Sequence, residues 1–450
     1  MENNGLSRKS NNKKHHRRIA EGILVLLFTL VLACGFVLSL CLPLRPSVSE
    51  NEKRELSPFP AFSFKALFDG SYFHGIDLWF SDTFPLRESI IAVNSRIQSL
   101  HGIGNVQIKG NLEQGDDIPD APLSTTEPPS DLALQTTATE PPTTAKEPED
   151  DPDVPRESFD SFLLYGTGGY DYYNFRKDMA NRYIGLINRT AAGSNAALYS
   201  MVVPISTDII LPESVKKSIN SSDQKKASEY LYGSMAPDVK TIPVYDSLMA
   251  HRNEYIYFRT DHHWTALGAY YCYVEWAKVK GVEPVPLSKY EKVTYDGFLG
   301  SFYAATNKNA GMKKNPDYVD AYKPFNNVSM RIRDKKGNEF GNKVLTDVST
   351  WSASSKYLTF IGGDNPYTVI ENKDLTDGSS CIVVKESYAN AFVPFLIPHY
   401  QTIHVVDFRY WSGNVVSFAK EKNIDDILYL NNISVTRSEP LIKRMEKVSG

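Results

Sequence analysis

At 450 residues the chain is too long for one compact core, and the usual scale of about 150 residues per domain leaves room for two or three units. Apolar residues at 42%, aromatics at 12% and charged residues at 23% exclude wholesale disorder, a collagen-like repeat and a polytopic membrane protein. The net charge of −4 is unevenly spread: residues 1–18 stand at +5, residues 113–158 at −11, and the remainder is near +2. That balance gives no support to a nucleic-acid partner, which needs a clustered basic excess.

In chain order, a basic tail over 1–21 precedes an apolar run from Gly22 to Leu42, 21 residues without a charge. At about 1.5 Å per residue it spans the roughly 30 Å hydrocarbon core, which predicts one transmembrane helix. Six cations before the run, against a mixed cluster after it, place the N-terminus in the cytoplasm and the rest of the chain outside the cell membrane. A cleaved signal peptide would have a shorter apolar region and a small-residue cleavage site. The segment Val31-Leu32-Ala33-Cys34 only loosely resembles a lipobox, and the apolar run continues past it. Outside the span only Cys272 and Cys381 remain, either paired or as two buried thiols.

Residues 43–112 read as a stalk and a small, mostly helical module ending in the amphipathic stretch Leu86 to Leu100. The Thr, Pro, Asp and Glu of 113–158 predict a disordered insertion, because so few apolar side chains cannot offset chain entropy. Residues 159–450 alternate apolar runs with helical patterns. Strands are expected at Ala196–Pro204, Lys240–Pro243, Tyr255–Phe258, Ser380–Val384, Thr402–Val406 and Asp426–Leu430. Helices are expected at Ser222–Met235, Thr265–Val279, Tyr388–Leu396 and Gly413–Glu421. Such alternation implies parallel pairing and an α/β fold, a three-layer α/β/α sandwich with a mostly parallel sheet. The weaker periodicity of about 283–359 predicts an irregular insertion over the sheet's edge.

The densest polar cluster is Thr260-Asp261-His262-His263-Trp264-Thr265. If this segment is extended, side chains alternate, so Asp261 and His263 share a face and His262 points away. A carboxylate that fixes an imidazole's tautomer is the acid and base pair of acyl transfer. Ser387, between a strand and a helix, has the context of a nucleophile; Ser206 follows a strand but precedes a loop. Other readings stay open from the residues alone: Ser387 as a helix N-cap, the Asp-His pair as surface hydrogen bonding, or a metal held by Asp261 with His262 or His263.

The segment TDHHWTALGAYYCY (Thr260 to Tyr273) resembles the signature of the bacterial DHHW family, and KESYANAFVPFL (Lys385 to Leu396) and VVDFRYW (Val405 to Trp411) resemble its later blocks. ENEKRELSPFP (Glu50 to Pro60) and the stretch from Ser81 to Ile90 are similar to blocks of the periplasmic alginate O-acetylation proteins. Those in turn resemble SGNH hydrolases in permuted order. The resemblance implies Asp261 as acid, His263 as base and Ser387 as nucleophile, with no metal and no cofactor. Lys385 and Glu386 stand where better-studied relatives carry Gly and Asp.

Residues and resemblance together predict a membrane-anchored, outward-facing O-acetyltransferase-like enzyme acting on hydroxyls of a cell-surface polysaccharide. An esterase with the same triad and a non-catalytic glycan-binding scaffold are the alternatives. The Tyr388 amide is the expected oxyanion donor, and Arg409, past the next strand, an expected substrate contact. An enzyme outside the cell has no acetyl-CoA, so a transferase needs a membrane-bound acyl-transfer partner.

Overall fold

The computed structural model describes residues 156–450 apart from 160 and 307, residues 58–84 apart from 69 and 70, residues 114–122 and 146–150, and isolated positions elsewhere before 156. The chain divides into two units, residues 1–105 and 106–450. In the first, helices Phe64–Phe68 and Ser71–Asp82 are joined by aromatic contacts such as Phe62 against Tyr72, and the Arg45 guanidinium lies 3.9 Å from the Trp79 ring centroid. Among the described residues no helix is long and apolar enough to cross a membrane. The expected span at 22–42 lies mostly outside the described residues, though Ile23, residues 26–30, Ala33 and Gly35 are helical. The amphipathic stretch 86–100 lies wholly outside them.

The second unit is a mixed α/β fold around one large sheet. Its eight strands are β1 (Ala197–Val203), β2 (Lys240–Thr241), β3 (Val328–Arg333), β4 (Glu339–Asn342), β5 (Tyr367–Asn372), β6 (Ser380–Lys385), β7 (Thr402–Asp407) and β8 (Asp426–Asn432). Their spatial order is β4-β3-β5-β7-β6-β8-β1-β2. Pairing is parallel from β7 through β6, β8 and β1 to β2, and antiparallel from β7 through β5 and β3 to β4. β6, with the run Cys381-Ile382-Val383-Val384, is buried along its whole length between β7 and β8. Such a continuous β-branched run is what a strand covered on both faces requires.

The helix expected at Tyr388–Leu396 is a 3₁₀ turn, Ser387–Ala391, followed by a four-residue α-helix, Val393–Leu396; most other expected strands and helices of the carboxyl-terminal half are present within one or two residues, with caps that explain their ends. Helix Ala266–Lys280 starts where the Thr265 hydroxyl accepts from Gly268 N–H and stops at Gly281, whose φ of 78° only glycine adopts without strain. Helix Val415–Lys422 is capped by Asn414 and ends at Asn423 in the left-handed region. Cys272 and Cys381 are both buried free thiols. Three further expectations differ. Residues 283–359 are not irregular throughout: 291–298 pair with 317–323 as a two-stranded ribbon, and β3 and β4 extend the main sheet. Tyr255–Phe258 forms no strand, only a single bridge from Tyr257 to Trp264.

The third difference concerns the acidic insertion, whose described flanks pack on the unit. Asp116 N–H donates to the Phe175 carbonyl at 2.8 Å, its carboxylate accepts from Lys177 N–H at 2.8 Å, and Ile118 packs against the core. Residues 146–150 are held likewise, with Glu147 accepting from Glu213 N–H and Asp150 from Ser214, Tyr165 and Arg156. A low apolar content rules out a core of its own, but not a strap held through backbone groups and carboxylates. Excising residues 114–122 is therefore expected to lower the melting temperature by a few degrees, since about 1 kcal/mol shifts a domain of this class by 2–4 °C; an unchanged melting curve would show that the strap contributes nothing.

Candidate active site

The Asp261 and His263 side chains are delivered by a tight loop. Phe258 N–H donates to the His263 carbonyl at 3.1 Å and Thr265 N–H to the Ile256 carbonyl at 2.9 Å, leaving Thr260, Asp261 and His262 at the tip. The tip is tied to Asp317, the first residue of the ribbon strand 317–323, whose carboxylate is fully buried. That carboxylate accepts from Thr260 N–H at 2.7 Å, the Thr260 hydroxyl at 2.6 Å, Arg259 N–H at 3.1 Å, Arg259 Nε at 3.1 Å and the Tyr255 hydroxyl at 2.5 Å. Nothing in the local sequence of the loop announces this partner.

Within the loop, Asp261 Oδ1 stands 2.5 Å from His263 Nδ1 and accepts from His263 N–H at 3.1 Å, while Oδ2 accepts from Ser301 N–H at 2.8 Å. Across 124 residues of sequence, His263 Nε2 stands 2.7 Å from Ser387 Oγ. With Nδ1–H given to the carboxylate, Nε2 is left as acceptor for the serine hydroxyl. The three residues are 6%, 7% and 8% exposed. Gly300 lies directly beneath the acid: a Cβ there would overlap the Asp261 carboxylate. Burial alone would raise the Asp261 carboxyl, but the His263 and His262 rings, the His263 hydrogen bond and the Ser301 amide outweigh it and hold the group well below the usual carboxylate range.

Ser387 begins a 3₁₀ turn, Ser387–Ala391, directly after β6. It is not the cap: Glu386 is, its Oε2 accepting from Tyr388 N–H at 3.1 Å and lying 3.2 Å from Ser387 Oγ, while Oε1 accepts from Asn432 N–H at 3.0 Å. Burial pushes the Glu386 carboxyl up. Three bonds lock the serine segment to its surroundings. Trp264 Nε1 donates to the Tyr388 carbonyl at 2.8 Å, the Tyr388 hydroxyl to the His262 carbonyl at 2.5 Å, and the Tyr357 hydroxyl to the Ser387 carbonyl at 3.0 Å. The Tyr357 ring also stacks on the His263 imidazole, centroids 4.0 Å apart and planes at 18°. Sequence reading missed Tyr357, Ser301, Gly300, Asp317 and the capping role of Glu386, all of which act through the fold.

The other expected contacts lie elsewhere. The Tyr388 amide is engaged by Glu386, and its ring is fully buried, so the expected oxyanion donor is not open as it stands. Arg409 does not project into the site: its Nε and Nη2 clasp Asp407 at 2.8 and 2.6 Å, and Nη2 also pairs with Asp364 at 2.8 Å. Lys385, with a buried ammonium, bridges the same two carboxylates at 2.9 and 3.0 Å, and Asn390 donates to Asp364. Two cations and two carboxylates thus form a neutral brace under the serine turn, which gives the buried Lys385 ammonium its partners. His262 does not point away either. Because the tip is bent rather than extended, its ring lies 3.9 Å from that of His263, half-buried, with Nδ1 2.8 Å from Ser301 Oγ.

Asp261, His262 and His263 offer ligand atoms within 4.8 Å of one another, the raw material of a divalent cation site. His263 Nδ1 and Nε2, Asp261 Oδ1 and His262 Nδ1 are engaged in hydrogen bonds, so a cation bound through these atoms would displace those bonds.

A mixed α/β fold whose middle parallel strand delivers a serine to a histidine and a carboxylate defines the class. The family model described as DHHW protein matches residues 52–132 and 138–406, and the chain belongs to that family. A solved DHHW family protein from Eubacterium siraeum DSM 15702 is similar at 30% identity and TM-score 0.58, over 64% of this chain and 97% of that one. Bacillus cereus PatB1 carrying a sulfonyl adduct is similar in fold at 20% identity and TM-score 0.52, over 64% and 97%. The O-acetyltransferase domain of Pseudomonas putida AlgJ matches 64% of this chain and 96% of its own at 10% identity and TM-score 0.33, too remotely to carry any argument. No curated protein matches.

Two outcomes follow for stability. Asp317→Ala strips the acceptor from buried donors of the loop and is expected to cost about 2–5 kcal/mol in urea unfolding, the range for breaking a buried network; a loss within error would mean that the loop is held by other bonds. Asp171, beside His262, has its carboxyl pushed up to about 6, first by burial. A raised carboxyl stabilises the fold only at low pH: the penalty sets in above the unfolded range near pH 4 and is complete above about 6. Asp171→Asn should therefore raise the melting temperature at pH 7 and not at pH 4; an equal change at both pH values would contradict the cause.

Proposed function

We propose that the protein is a serine-dependent O-acyltransferase that moves acetyl groups onto hydroxyls of a cell-surface polysaccharide. The observation that carries the reading is the continuous chain from Asp261 through His263 to Ser387, with bonds of 2.5 and 2.7 Å. Ser387 Oγ attacks the acyl carbonyl as its proton passes to His263 Nε2; Asp261 stabilises the imidazolium; the donor's leaving oxygen takes the proton and departs. In the second half His263 removes the proton of an acceptor hydroxyl, whose oxygen attacks the acyl-serine, and the departing Ser387 oxygen takes that proton back from His263. For the Tyr388 N–H to receive the oxyanion, the Glu386 carboxylate must give it up.

Membership of the DHHW family and the likeness of fold to PatB1 with a sulfonyl adduct support an accessible, acylatable serine. The apolar run 22–42 supports a single span with the α/β unit outside the cell, and such a position supports a membrane-bound partner that supplies acyl groups. An esterase would use the same three residues with water as acceptor.

A serine-directed sulfonyl fluoride is expected to label Ser387 and abolish turnover of a simple acetyl ester, and Ser387→Ala to lose both. Asp261→Asn should retain labelling at a slower rate and lose activity by as much as about 10⁴-fold, through loss of tautomer control. Loss of activity on chelation, restored by zinc, would instead assign Asp261 and the two histidines to a metal. No turnover of any ester and no labelling would leave a glycan-binding scaffold.

A further inference from the structure

At the end of the sheet where β6 delivers Ser387, a cleft of about 630 Å³ opens between the loops that follow β3 and β7. Ligand sites of open α/β sheets lie beyond the carboxyl ends of the parallel strands, and their volumes run from about 300 to 1,000 Å³. The sheet register fixes the distance. Arg333 pairs with Tyr367, Tyr367 with Val406, and Val406 with Val384, three residues before Ser387. At about 4.8 Å per strand, Tyr367 on the cleft wall stands roughly 10 Å across the sheet from the strand that carries the serine.

The wall is aromatic and polar at once. Tyr410 is 39% exposed, and Trp411 and Tyr367 are half-buried with Phe418 edge-on to both. Gly413 closes on the Trp411 ring, which a Cβ there would overlap, so the ring is held in place by backbone. Two of the wall's cations have partners: Arg333 pairs with Glu339 behind the wall at 2.5 Å and Lys422 with Glu421 at 3.1 Å. Asp334 is satisfied by Asn338 and the Lys336 amide. Lys335 lies 3.6 Å from the Tyr410 ring centroid. Such a surface offers aromatic rings with hydrogen-bonding groups at their edges, Lys335 lying over one face of Tyr410 and Arg333 over Tyr367, and little net charge. That is complementary to a pyranose ring, with its C–H face and rim of hydroxyls, and poorly suited to a polyanion.

We propose that this cleft is a subsite for an uncharged sugar segment of the acceptor chain, gripped by Tyr410 and Trp411 while a neighbouring residue of the chain reaches Ser387. The inference rests on the acyl-transfer reading for its biological sense, but its test does not. Full-length Ser387→Ala protein, which cannot turn over, is titrated with an N-acetylglucosamine hexamer while tryptophan emission is followed, and in parallel with a uronate hexamer. The expected result is a saturable change with the neutral hexamer, insensitive to salt, absent in the added Trp411→Phe variant, and at least about tenfold weaker in affinity with Tyr410→Ala, the scale of an aromatic anchor. Gly413→Ala, which displaces the Trp411 ring, should weaken it similarly. Undiminished binding by a folded Tyr410→Ala protein, tighter and salt-sensitive binding of the uronate, or no binding of either would overturn the proposal. Ester turnover by the native chain is read separately, so failure of this subsite and failure of the serine chemistry are told apart.

Discussion

The geometry of the candidate site depends on one buried carboxylate that takes no part in it. Asp317 accepts five hydrogen bonds from Tyr255, Arg259 and Thr260, and so fixes the position from which Asp261 and His263 project. A loop at a sheet's edge would otherwise sample many conformations, and an imidazole must be held within a fraction of an ångström to bridge an acid and a hydroxyl. Because Asp317 belongs to the ribbon strand 317–323, the segment that seemed an irregular insertion is what positions the base.

Around that anchor the site contains carboxylates in opposite electrostatic circumstances. Asp261 is held ionised by two imidazoles and a backbone amide, whereas Glu386, equally buried and beside the serine, has its proton affinity raised. The first suits a group that must stay charged while an imidazolium forms beside it. The second suits one that can yield the Tyr388 amide at modest cost when negative charge arrives on the substrate. Lys385, Asp364, Asp407 and Arg409 form a self-neutralising group below the serine turn, and its Arg409 partly offsets the burial that raises Glu386.

The parallel strands were legible in the sequence because runs such as Cys381 to Val384 have only one comfortable setting, between two others. The convergence of Asp261, His263 and Ser387 was legible too, from spacing, strand-to-helix context and family resemblance. What the sequence could not disclose is contact across long separations. Tyr357 on the His263 ring, Gly300 beneath Asp261 and Asp317 under the loop leave no local pattern. Alternation misplaces His262 because it presumes an extended backbone, and the expectation of Arg409 as a substrate contact gives way to its ion pairs with Asp407, two residues before it, and with the distant Asp364. The acidic insertion misled in a different way, since composition reports the ability to form a core and says little about adhesion to one.

The placement of β6 has a consequence for how the chain acquires its chemistry. β6 carries the serine, yet both neighbours that hold it, β7 and β8, come later in the chain. Acid and base are synthesised 124 residues before their partner, and that partner has no seat until the last strand, ending at Asn432, is in place. Contacts of such separation form late, since their loop-closure entropy precedes any gain. The nascent protein therefore passes through most of its synthesis without Ser387 seated beside His263, and any break in the last fifty residues would leave the histidine and carboxylate without that neighbour.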